Sequence, residues 1–126
     1  MRGNRTASNL RQQIVSRQRE RDRLEALVLK RRTMLDACLV ERFALAGGRR
    51  RASPACYISE KAEGKTRLTY VRKAELGRVR AQTDAWREFS QALAQWVKVT
   101  AQLERLLRQL GQAQVAEFPR RPSGHG

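Results

Sequence analysis

Histidine is almost missing from this 126-residue chain, and the single one, His125, stands next to the end. A Ser-His or Cys-His nucleophile pair therefore has no base to work with. Cysteine occurs twice, at Cys38 and Cys56. With one histidine these cannot assemble the four ligands of a structural zinc. No metal and no cofactor is expected, and two isolated cysteines read as free thiols in a reducing cytoplasm. No apolar run approaches the length of a membrane span. The basic start "MRGNRTASNLRQQ" is not followed by an apolar segment, so no leader and no membrane partner are expected. Proline (three) and glycine (eight) are scarce and fall mostly between elements or at the ends. Aromatic residues make up only 6% of the chain, against 31% charged. That balance disfavours a thick globular core and suits an elongated helical protein. Asp22, Asp36 and Asp84 are scattered, and glutamates neighbour arginines, as in Arg17 with Glu20 and Arg21 with Glu25. These read as solvated pairs, not as acid-base machinery. The chain is expected to be non-enzymatic.

What is abundant is positive charge. Lys and Arg number 27 against 12 Asp and Glu, a net +15, and the first 51 residues hold 14 basic and five acidic side chains. Such a surface attracts polyanions. The bias toward arginine favours phosphate, which its planar fork grips with two hydrogen bonds.

Leu10, Ile14, Leu24, Val28, Leu35 and Leu39 recur at helical spacing, predicting a basic helix over residues 8–46, after a disordered 1–7. Ser8 is its candidate N-cap and Gly47-Gly48 its stop. Arg17 and Arg21 interrupt the leucine face, which predicts loosely packed first turns that project as a basic arm. Residues 47–55 read as a linker. Residues 56–71 read as a β-hairpin around "KAEG", with Leu68 and Tyr70 on one face and Arg67, Thr69 and Val71 on the other. Over 73–112 a heptad pattern places Val79, Trp86, Leu93, Thr100 and Leu107 in one row and Phe89, Trp96, Leu103 and Leu110 in the other. Residues 113–126 read as a disordered tail. The fold class expected is mostly α. Two long helices, each about 60 Å at about 1.5 Å per residue, form an antiparallel coiled-coil-like pair joined by the hairpin. Leu10 and Ile14 then lie opposite Leu107 and Leu110. Two helices bury little apolar surface. Homo-oligomerisation is therefore expected, through Trp86, Phe89, Leu93, Trp96, Leu103, Leu107 and Leu110.

Gly64-Lys65-Thr66 imitates the end of a phosphate-binding loop. The full motif needs a glycine where Ser59 stands and a helix where "RLTYV" predicts a strand. Gly64 is read as a hairpin turn. The stronger functional candidates are basic. Arg19, Arg23 and Lys30 line one helical face away from the leucines, Arg11 flanks them, and Arg49, Arg50 and Arg51 extend the charge. The pattern suits phosphate tracking without base readout. Tyr57 and Tyr70 could stack bases, but packing against the adjoining helix is the commoner use of hairpin aromatics.

The stretch from Tyr57 through Gly64-Lys65-Thr66, Tyr70-Val71, Trp86 with Phe89, and Leu103 to Leu110 resembles a family of small bacterial and archaeal proteins of unknown function. Its members are often encoded beside insertion-sequence transposases. The likeness covers residues 56–110 and departs at Arg72, where family members commonly carry proline. It implies a mobile-element context, with DNA ahead of RNA as the nucleic acid and a transposase as a possible protein partner. The expected function is phosphate-led nucleic-acid binding. The alternative is an adaptor coiled coil whose charge is incidental.

Overall fold

A computed structural model describes residues 6–43, 45–46, 49–50 and 54–119, the pairs 45–46 and 49–50 by backbone alone. The elements in chain order are α1 (Ala7–Leu29), β1 (Cys38–Arg42), β2 (Leu45–Ala46), β3 (Arg49–Arg50), β4 (Ala55–Ala62), β5 (Lys65–Tyr70), a 3-10 turn (Lys73–Glu75) and α2 (Leu76–Ala113). The protein is mostly helical, with two helices packed together and a three-stranded antiparallel sheet in the order β1-β4-β5. A minimal ladder pairs β2 with β3 inside the expected linker. The chain divides into two compact units. One combines the residues up to Glu25 with those from Gln95 onward, and the other is Ala26–Ala94. Gly47-Gly48, Arg51 and most of the expected terminal tails lie outside the described residues.

In the first unit α1 starts one residue before the expected cap. Thr6 is the N-cap: its Oγ1 accepts from the Asn9 N–H at 3.2 Å and its carbonyl from Leu10 N–H at 3.0 Å. Leu10 and Ile14 pack against Leu103, Leu106 and Leu110. Trp96 Nε1 donates to Glu25 Oε1 at 3.3 Å, and Arg11 donates to Gln114 at the other end. Rising numbers in α1 thus meet falling numbers in α2, which makes the pair antiparallel. The expected projecting arm is corrected, because Leu10 is only 1% exposed. Arg17 and Arg21 do not loosen these turns. Their long stems carry the charged heads to the rim, where Arg17 meets Glu20 at 2.9 Å and Arg21 meets Asp22 at 3.9 Å.

The seam of α2 also departs from the expected register. Here the buried positions are Val99, Leu103 and Leu106, with Leu110 packed alongside, while Leu107 is 51% exposed. Two heptad rows share Leu103 and Leu110. One adds Val99 and Leu106, the other Thr100 and Leu107. The first row buries Val99 and Leu106, yet the Thr100 hydroxyl is still buried without a hydrogen-bond partner, so sparing that hydroxyl is not what selects the row. Leu103 and Leu110 are therefore spent within the chain, not on a second copy.

The second unit overturns the expected 8–46 helix. α1 stops at Leu29, residues 30–37 are not helical, and Cys38–Arg42 is a strand. Leu35 and Leu39 are four apart, a spacing that fits both a helical face and one face of a strand. The sheet decides between them: β4 and β5 alone would make a marginal hairpin, and β1 supplies a third strand with Leu39 opposite Ile58. Arg32 marks the helix end by donating from Nη2 to the Leu27 carbonyl at 3.2 Å. That satisfies one of the carbonyls a helix terminus leaves unpaired. The core joins Cys56, Val71 and Val79 with Leu35, Leu39, Ile58 and Leu76.

The β4–β5 turn is Glu63-Gly64, with φ of 52° and 77°. Two consecutive left-handed residues form the type I′ turn that matches hairpin twist. Thr66 follows in β5, so the triplet Gly64-Lys65-Thr66 is a turn and the start of a strand.

Candidate nucleic-acid interface

α1 buries Leu10, Ile14 and Leu24 on one side, the opposite side carries Arg19 and Arg23, and Arg11 stands at the flank, where it reaches Gln114 of α2. All three are exposed. Among the described residues, ion pairs occupy Arg17, Arg21, Arg32, Arg67, Arg78, Arg80, Arg87 and Arg108. Arg11, Arg19 and Arg23 have no carboxylate partner among them, and the hydrogen bond of Arg11 goes to the neutral amide of Gln114. Among the described residues the carboxylates that form ion pairs do so with other arginines, and these three keep uncompensated charge.

The remaining basic candidates separate. Lys30 falls one residue past the end of α1, so the helical projection that aligned it with Arg23 stops short of it. It is exposed, and its charge acts on Glu88 in the second unit. Arg49 and Arg50 form β3, described by backbone only, and Arg51 lies outside the described residues.

The carboxyl of Glu88 is held below its usual value, first by the hydrogen bond from Arg32 and then by the Arg32 charge; burial opposes them, and the charge of Lys30 adds the least. Arg32 therefore bridges the carbonyl end of α1 and α2. Its role is structural, and it is not available to a ligand.

The expected interface residues also divide. Leu103 and Leu110 belong to the seam with α1. Trp96 is half-buried and tied to Glu25. Trp86 and Phe89 stack on each other with ring centroids 5.5 Å apart. Leu93, Val97 and Leu107 stay exposed at 40%, 56% and 51%.

The tyrosines stand where the commoner use did not put them. Register pairs Tyr57 with Tyr70, Ser59 with Leu68 and Lys61 with Thr66 across β4–β5, and Val40 with Tyr57 and Arg42 with Ala55 across β1–β4. The alternating row of Leu39, Cys56 and Ile58 meets the core with Val71 and Val79. Tyr57 and Tyr70 therefore lie on the outer face, away from that core. Their rings meet edge to face at 5.7 Å, and the Arg42 guanidinium lies 6.0 Å from the Tyr57 centroid. Arg42 and Lys61 did not emerge from the sequence as functional residues. The signal was the alternation of Leu39 and Glu41 against Val40 and Arg42, masked by the helical reading of the segment.

No protein-family model, curated protein or solved structure matches the chain. Among the described residues no helix is long and apolar enough to cross a membrane.

Proposed function

We propose that the protein binds nucleic acid through phosphate contacts made by the outer face of α1. The observation that carries this reading is the pair Arg19 and Arg23 on the outer face of α1 with Arg11 at its flank, all exposed and without a carboxylate partner. A net charge of +15 supplies the long-range attraction. Counterion release on phosphate neutralisation supplies the affinity, with no requirement for base readout. The family resemblance adds the context of an accessory to a mobile genetic element, hence DNA ahead of RNA, acting in the cytoplasm without catalysis. Changing Arg11, Arg19 and Arg23 together to Gln should weaken binding to unrelated duplexes alike, with the helical circular-dichroism signal unchanged. Undiminished binding would remove the α1 face from the account.

A second reading is favoured by Val97 and Leu107, two exposed apolar residues on the part of α2 that belongs to the first unit. In it, α2 docks a second copy or another protein such as a transposase, and the charge is incidental. Capture from the host with and without nuclease separates the two. Partners that persist after nuclease and vanish in Leu107→Asp favour docking, while partners lost to nuclease favour nucleic acid.

A further inference from the structure

We infer that the outer face of the β1-β4-β5 sheet receives unpaired bases, so that the protein holds single-stranded nucleic acid as well as duplex backbone. This deepens the proposed function and rests on it. The row consists of Cys38, Val40 and Arg42 from β1, Ala55, Tyr57, Ser59 and Lys61 from β4, and Thr66, Leu68 and Tyr70 from β5, of which Ala55 is buried and offers no surface.

Its charge is one-sided. The strands of this sheet contain two carboxylates, Glu41 and Glu60. Both fall in the inner row and both are already engaged, Glu41 by Arg80 at 3.2 Å and Glu60 by Arg67 at 2.9 Å. The outer row carries only Arg42 and Lys61 as charged groups, and Asp36 shares a cavity with Cys38, Ser59 and Lys61 at one end of it, so the part that complements an anion is the Arg42 end beside the tyrosines.

Its aromatics are arranged unequally. Tyr57 is half-buried, with Arg42 over its ring and Tyr70 against it edge to face. That arrangement fixes Arg42 as an anchor for phosphate. Tyr70 is 59% exposed, and Leu68, two residues earlier in β5, is exposed beside it. A tyrosine left open on a sheet, flanked by an exposed leucine and backed by a positioned arginine, has the parts of a base-stacking platform. Every base has a π face, so such stacking tolerates sequence, and cations beside the rings hold the backbone. A duplex cannot use this surface, because its bases are stacked on one another. The occupant is therefore a single strand. An acidic peptide would satisfy Arg42 and Lys61 but would leave the open Tyr70 ring without a partner.

The test uses the full chain with a fluorescent 12-nucleotide oligothymidine and a 12-base-pair duplex at low salt. Tyr70→Leu keeps an apolar side chain but removes the π face. It should lower single-strand affinity about five- to a hundredfold, the range found when base-stacking aromatics are removed. Tyr70→Phe should restore it, and duplex affinity should stay within about twofold in both. Arg42→Gln, at an exposed position, should flatten the single-strand salt slope by about 0.7. Single-strand binding as tight in Tyr70→Leu as in the wild type overturns the platform and leaves the α1 reading intact. Absence of binding to either nucleic acid overturns both. Displacement of the oligothymidine by oligoglutamate at matched charge, with the same dependence on Tyr70, also overturns it in favour of an acidic protein partner.

Discussion

Each of the two units is stabilised internally by different means. In the unit of the helix ends, long aliphatic side chains fill a single seam: Leu10, Ile14, Leu103, Leu106 and Leu110. In the unit of residues 26–94 the core is assembled from small pieces of several elements, among them Cys56, Val71 and Val79. Its connections rely on polar caps and a strained turn as well as on apolar area. The first is a periodic solution that a sequence pattern can nearly specify. The second is a negotiated one, in which β1 exists because β4 and β5 need a third strand.

The comparison can be broken most severely at the seam. Leu10→Ala should cost about 3 kcal/mol of unfolding free energy, within the range for a fully buried leucine. Leu107→Ala, one position outside the seam, should fall within about 0.5 kcal/mol of wild type. Chemical denaturation of the pair checks both. Equal losses would mean that the 100/107 row is the buried one after all.

The same measurement sharpens the other unit. Gly64→Ala adds a Cβ that meets nothing within 4 Å, yet sits at φ +77°. The cost is purely conformational and should be about 1 kcal/mol. A neutral result would show that the Glu63-Gly64 turn does not hold its left-handed geometry.

The smallest effect concerns Glu88. Its folded value is lowered by Arg32 and Lys30. Its contribution is therefore fully present above the unfolded carboxylate value of about 4.3 and is lost as pH falls through the lowered folded value. Glu88→Gln should lower the thermal midpoint slightly at pH 7, and the gap should narrow as the pH falls below the usual carboxylate range and through the lowered folded value. A gap independent of pH would assign the Arg32–Glu88 pair no electrostatic role.

How much of this was legible in the sequence follows the same divide. Leu10, Ile14, Leu24, Leu103 and Leu110 announced themselves by spacing, and the hairpin by its β-branched residues and Gly64. The end of α1 was not legible. Leu35 and Leu39 satisfy both periodicities, no proline or glycine intervenes, and the deciding factor is a strand-pairing need about twenty residues downstream. The choice between Leu106 and Leu107 was hidden because two registers share Leu103 and Leu110, and the Thr100 hydroxyl, buried and unpaired even in the register adopted, does not separate them. Of the candidate interface, the arginine face of α1 could be drawn from helical geometry alone. Arg42 beside Tyr57 could not, since it depends on the β1–β4 register.

The central claim is that Arg11, Arg19 and Arg23 neutralise phosphate. The most direct measurement is the slope of log affinity against log salt for duplex DNA, in the wild type and in the triple Gln variant. At about 0.9 per phosphate contact, three lost contacts should flatten the slope by about 2.7, alike on two unrelated sequences. An unchanged slope in the variant, or a wild type that does not bind duplex at low salt, would contradict it.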